Sequence, residues 1–272
     1  MSPDQTTWAR LRRDVPRIAA AAGVGYAVLA SVYAGFGWDA HAYWSAWHGP
    51  MYSAAPGQPG AFLYSPVFAE FLWPLAQLPF WLFSLVFSVA SAVSIWWLLK
   101  PVQGELRWLL LLAAAPEIAS GNVFAELGVV AALGVRFPAL WAVAALTKPS
   151  VCLGPVWSAL RRDWRPVAIA VCATALVAGV SYLAAPGQWH AWLGFLRRNG
   201  SAASGAVGSP LVPGVLFRLP ISLALLWWGR RRPDVVPVAM MLATPVFGIS
   251  AAVMLFAIPR LRLVGSRTAP AR

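Results

Sequence analysis

Asp39 is the only carboxylate between Asp14 and Glu70, and it stands among Trp38, His41, Tyr43, Trp44, Trp47 and His48. A carboxylate in such a bed can take the proton from an acceptor hydroxyl as a general base. The plainer expectation is a helix N-cap or an acid at a membrane interface. The cations that could act with it are Lys148, Arg197, Arg198 and Arg218, with His190 close to the middle pair. Lys and Arg hold phosphate oxygens and stabilise the charge that grows on a leaving phosphate. One acid and several cations gathered at one membrane surface would suit chemistry on a lipid phosphate.

The elements that must gather them are apolar. Hydrophobic residues fill 60% of 272 positions and charged ones 11%, which leaves too little polar surface for a water-soluble domain. The expected fold is all-α, a polytopic transmembrane helical bundle forming one domain over residues 1–272, with about ten membrane segments, several paired as short hairpins. The net charge of +12 falls in short clusters between apolar runs, the pattern of cytoplasmic anchoring loops and not of a nucleic-acid surface. Residues 18–36 follow Arg10, Arg12, Arg13 and Arg17. They read as a retained signal-anchor helix of a multi-pass plasma-membrane protein, its N-terminus cytoplasmic. Residues 37–66 then form an outer loop, and residues 67–78, broken by Pro66, Pro74 and Pro79, lie at the interface. Residues 186–209 form a second outer loop.

Residues 138–160 decide the topology. As a single span they would bury the Lys148 ammonium at the bilayer centre, at a cost of about 2.5–3.5 kcal/mol. As a hairpin with Lys148 at its outer tip, they place Arg161, Arg162, Arg165, Arg230, Arg231 and Arg232 inside and only Arg197 and Arg198 outside. The positive-inside rule selects the hairpin. A second hairpin over residues 235–258, with Pro245 at its middle, keeps Arg260, Arg262 and Arg267 inside as well. Glu126 falls within a span, where an acid is a functional candidate by default, although it could equally hydrogen-bond a neighbouring helix. Cys152 and Cys172 read as thiols in apolar stretches. His41, His48 and His190 lack metal-ligand spacing, so no metal or cofactor is expected.

These residues also carry a family resemblance. Asp39 with Tyr43, Gly49-x-Met51-Tyr52, Phe62-x-Tyr64-Ser65-Pro66 and Leu75-x-x-Leu78-Pro79 resemble the first outer loop of the GT-C superfamily. The nearest likeness is to glycosyltransferase family 87, the polyprenyl-phosphate-mannose-dependent mannosyltransferases. Gly121-Asn122, the small-residue helix at 139–146, Lys148-Pro149 and the basic turn 161–165 agree in order and spacing, and Ser209, Gly214 and Arg218 agree more weakly. The resemblance implies inverting transfer of a sugar, most often mannose, from a polyprenyl-phosphate donor to an envelope glycolipid or polysaccharide acceptor. It implies Asp39 as the base, no metal, and Lys148 and Arg218 at the donor phosphate. Arg197 and Arg198 complete the candidate phosphate ligands, and His41, Tyr43, Tyr64, Asn122 and His190 are the candidate substrate contacts. Membrane lipids are expected partners; nucleic acid is not.

Two departures set up a competing expectation. Family members are typically longer, and Thr244-Pro245-Val246-Phe247-Gly248 lacks the aromatic-plus-His pattern that follows a Ser-Pro there. A non-catalytic, lipid-binding or accessory membrane protein derived from the family is the alternative. A transporter ranks behind both, since only Glu126 and Arg218 could line a path near the midplane.

Overall fold

The computed structural model describes residues 3–56, 58, 60–199, 214–245 and 248–267, and every regular element among them is helical. The helices α1 (Pro3–Ala34), α4 (Phe80–Leu99) and α10 (Trp164–Ala184) are long and apolar enough to cross a membrane. In α10 the mean hydropathy reaches 2.2 while only 11% of the window is buried, with Leu176, Val180 and Leu183 facing outward. An apolar surface of that extent marks a lipid-facing helix. Among the described residues five further apolar helical stretches are shorter: α3 (Pro66–Ala76), α7 (Phe124–Gly134), Pro138–Thr147, α12 (Val215–Trp228) and Pro233–Leu242. Among the described residues three helices thus reach membrane-spanning length, and shorter apolar helices pack between them.

Helix α7 is the centre of packing, set between α4 and the 3-10 stretch Ile249–Ala257. The two ends of the bundle follow from α4. Its first residues lie beside the Asp39 helix α2 (Trp38–Ser45), and its last carbonyls meet basic side chains. Arg260 donates to the Trp97 carbonyl, Arg107 to the carbonyls of Lys100 and Val102, and Arg17 pairs with Glu105 at 2.9 Å. The basic end is thus opposite the Asp39 end.

Both hairpins are present. Helix α8 (Trp141–Thr147) ends at Lys148, the chain turns through Pro149–Val151, and α9 (Gly154–Leu160) returns. Helix α10, which starts just after α9, packs on the Pro138–Leu140 turn and on both legs of the hairpin. The second hairpin rises through α13 (Val236–Leu242) and returns through Ile249–Ala257 into α14 (Ile258–Arg267). Its feet are tied by Asp234, which accepts from Arg232 at 2.9 Å and Arg262 at 3.1 Å.

Two details differ from the sequence reading. Pro74 does not break α3, because it lies in the last turn, where its ring costs the helix only the bond to the Glu70 carbonyl. Within the second loop, α11 (Pro186–Asn199) is a helix, tied down by Trp189 Nε1 donating to Ser181 Oγ, which itself donates to Glu70. Ser209 and residues 246–247 lie outside the described residues.

Close approach at the Asp39 end rests on two glycines. Gly37 has φ +76° and donates its N–H to the Ala119 carbonyl at 2.8 Å. Gly121 has φ +67°, and a Cβ there would lie 2.8 Å from the Ala40 Cβ and 3.3 Å from that of Phe87. They hold α2 against the link between α6 (Ala115–Ser120) and α7. Gly121→Ala combines left-handed strain with overpacking, each worth about 1–3 kcal/mol. Its thermal unfolding should occur several degrees below wild type, and an unchanged Tm would show that α2 can move away without cost.

The topology is open to a direct check. Ser53 and Asp163 are exposed and lie at opposite ends. In a Cys152→Ser, Cys172→Ala background, Ser53→Cys should react with an impermeant thiol reagent on intact cells, and Asp163→Cys only after permeabilisation. Labelling of both from one side would contradict the first hairpin.

Candidate functional site

Asp39 lies in the first turn of α2, but the N-cap position belongs to Gly37, and the Asp39 carboxylate looks elsewhere. Its Oδ2 accepts from Asn122 Nδ2 at 2.9 Å. The other half of that amide, Oδ1, accepts the Val123 N–H at 2.7 Å and the Lys148 ammonium at 3.0 Å. A main-chain N–H can only donate, so it fixes Oδ1 on its side and turns the Nδ2 donor toward Asp39. Asn122 is itself held, with its N–H on Ser120 Oγ and its carbonyl accepting from Ser91 Oγ, both at 3.2 Å. The three side chains come from α2, from the link before α7, and from the hairpin tip.

Lys148 stands 3.5 Å from the centroid of the Phe124 ring and 5.6 Å from that of Tyr64. Its turn is joined to the first loop by Ser65 Oγ donating to the Leu146 carbonyl. Burial pulls the ammonium down to about 8, against the opposing charges of Asp39 and then Glu117. Glu117 is wholly buried in the first turn of α6, the short helix before α7. Its Oε1 accepts the Ala125 N–H at 3.0 Å, while Oε2 has no hydrogen-bond partner among the described residues. Burial first, then the charge of Glu126, push this carboxyl up to about 8, with Lys148 pulling the other way.

The tyrosines form the wall. Tyr43 is 1% exposed, and its hydroxyl lies 2.9 Å from that of Tyr64. Burial raises both phenols well above their ordinary value, so they stay neutral hydrogen-bonding groups. Tyr52 donates to the Tyr64 carbonyl at 3.1 Å.

Other sequence-selected residues fall outside this line. His41 is exposed with its ring edge-on to Phe80, and His48 stacks on Trp44 at 3.8 Å. His190 and Arg198 border a separate cleft of about 450 Å³ between the first loop and α11, together with Tyr52, Ser53 and Gln188. Arg197 is exposed on α11. Arg218 is 5% exposed and donates to the carbonyls of Leu242, Thr244 and Pro245, at 2.9, 2.8 and 3.3 Å. These are end carbonyls of α13 and its turn, which a helix leaves unsatisfied. Helix α13 also packs on Pro149–Val151, so Arg218 reaches the Lys148 turn through that helix. Glu126 Oε1 is 3.4 Å from the hydroxyls of Ser91 and Ser94 on α4, a helix-to-helix contact.

Asp39, Asn122, Lys148, Tyr43 and Tyr64 are thus brought together, and Glu117 joins them although the sequence reading gave it no role. Its signal was the polar run from Glu117 to Asn122, whose two ends turn toward the same ammonium. A carboxylate oriented by a neutral amide, with a cation one residue's width away, can accept a proton beside a bound anion.

Comparison with known proteins adds the identity of the scaffold. No curated protein and no solved structure matches the chain. The profile of glycosyltransferase family 87 matches residues 62–272, which takes in Tyr64, Asn122, Lys148, His190, Arg197, Arg198 and Arg218 but not Asp39. A match over well more than half of the chain, on a bundle with three membrane-length helices, shows that this protein belongs to glycosyltransferase family 87, a family of membrane glycosyltransferases.

Proposed function

We propose that the protein transfers a sugar from a polyprenyl-phosphate donor to a glycolipid or polysaccharide acceptor at the outer face of the plasma membrane, with mannose as the sugar and inversion at its anomeric carbon. The observation that carries this reading is the Asp39–Asn122–Lys148 line. Asp39 takes the proton of the acceptor hydroxyl as its oxygen attacks the sugar's C1. The bond from C1 to the phosphate oxygen breaks, and the polyprenyl phosphate leaves with the electron pair. The Lys148 ammonium sits beside that phosphate and stabilises its growing charge. The family match supports glycosyl transfer, and the cationic hairpin tip at the Asp39 end supports an anionic lipid donor.

Asp39→Asn keeps size and hydrogen-bonding reach but removes the base, so transfer from polyprenyl-phosphate mannose should fall by about 10²–10⁴-fold at unchanged protein level. Activity within a few-fold of wild type would take Asp39 out of the mechanism and favour a non-catalytic, lipid-binding protein.

The two buried cations should separate by readout. Lys148→Met removes a charged contact worth roughly 1.5–3 kcal/mol, so donor retention on the purified protein should weaken by about ten- to a hundredfold with little change in Tm. Arg218→Met strips three carbonyls of their donor and should lower Tm. Loss of donor retention in Arg218→Met with Tm intact would instead make Arg218 a phosphate ligand.

A further inference from the structure

Lys148 is outnumbered. Among the described residues, the ionisable side chains grouped around the segment from Asn122 to Glu126 are Asp39, Glu117 and Glu126 on the acidic side and Lys148 alone on the basic side. The other elements packed at this level add no compensating charge. Residues 18–34 of α1, all of α4 and residues 249–257 contain no Asp, Glu, Lys, Arg or His, and Tyr43 and Tyr64 are neutral. An anionic phosphate docked on Lys148 would enter a site whose carboxylates compete for the same ammonium.

Glu117 is the more deeply buried of the two glutamates, since Glu126, which likewise has one oxygen without a hydrogen bond among the described residues, is part-exposed and lies beside Ser91 and Ser94. Glu117 is 0% exposed and anchored through one oxygen to the Ala125 N–H, and its other oxygen has no hydrogen-bond partner among the described residues. A buried carboxylate oxygen without a protein donor is expensive, and a buried acid escapes that cost by holding a proton. Asp39 differs in its surroundings: it is part-exposed, and its Oδ2 accepts from Asn122 Nδ2.

We propose that Glu117 is a positioning residue of the donor site, taking up a proton when the anionic donor docks, so that the Lys148 charge serves the phosphate and not a buried carboxylate. The proton comes from solvent, and no bond in the donor changes in this step. The inference rests on the reading of Lys148 as the phosphate's partner and goes beyond it, because it couples donor binding to proton uptake at a residue that never touches the donor. The sign follows from linkage. With the empty-site carboxyl near 8, donor binding raises it further. Affinity is therefore full at lower pH and is lost as pH rises, by at most tenfold per unit for one proton. A Lys148 ammonium that loses its own proton near 8 would produce a fall of the same sign, so the test must silence it.

Lys148→Arg does so, since a guanidinium does not titrate in this range. The probe is polyprenyl-phosphate mannose, a phosphodiester whose single acidic group is ionised throughout. Its retention on purified Lys148→Arg protein is measured from pH 6 to 9.5, together with proton uptake from a weakly buffered solution on adding the donor. A fall in retention with rising pH, with uptake of a fraction of a proton per donor, is expected to persist in Lys148→Arg. The guanidinium's fixed charge moves this fall to lower pH. Both signals should vanish in Lys148→Arg/Glu117→Gln, where Gln still offers an oxygen to the Ala125 N–H. A flat profile and no uptake in Lys148→Arg would overturn the proposal. So would a fall that survives Glu117→Gln or disappears only with Glu126→Gln. If Lys148→Met retains the donor as wild type does, the reading of Lys148 fails first and this inference with it. A loss in Lys148→Met combined with a flat Lys148→Arg profile would strike Glu117 alone.

Discussion

The Asn122 carboxamide is the constraint on which the rest of the site depends. An amide offers one acceptor and one donor face, and here the Val123 N–H decides which is which. Once Oδ1 is committed to Val123 and Lys148, Nδ2 has only Asp39 to serve. Acid and base groups on elements far apart in sequence are thereby held at a fixed spacing without touching. A direct Asp–Lys pair would spend both charges on each other, whereas the amide between them leaves each with capacity for a substrate.

The surrounding bundle makes this possible in an environment hostile to charge. The Lys148 ammonium would be costly within a span, and the hairpin brings it to the bundle's end. Gly37 and Gly121 let α2 lie close enough for a short carboxylate to reach the Asn122 amide. Ser65 fastens the first loop to the same hairpin tip, and Tyr43 and Tyr64 close the wall behind it. At the opposite end the arginines are engaged by carbonyls and by Asp234 and Glu105, which fixes the feet of the helices.

Much of this architecture could be read in the sequence because it follows from charge and apolar length. The hairpin at Lys148 came from the distribution of arginines, and α4 and α10 from uninterrupted apolar runs. Pro74 was read too strongly, since a proline in the last turn of a helix has little left to break. Of the site, Asp39, Asn122 and Lys148 were legible as residues, but their relation was not. Nothing in Gly121-Asn122 says that the amide faces two ways, and nothing near Arg218 says that its guanidinium meets the end of a helix 24 residues later. Glu117 was legible as a polar residue at the same end, but its relation to Lys148 was not. Its importance lies in what surrounds it, an ammonium delivered by a hairpin 31 residues on, and that depends on packing that periodicity cannot express.

The most direct test of a site unified by Asn122 is a double-mutant cycle on kcat/KM for sugar transfer, with Asn122→Ala, Lys148→Met and the pair. If the amide and the ammonium act as one unit, the pair should lose little more than the worse single variant, with a coupling of about 1 kcal/mol or more. Losses that simply add, to within about 0.5 kcal/mol, would show that Asn122 and Lys148 act separately and would contradict the account.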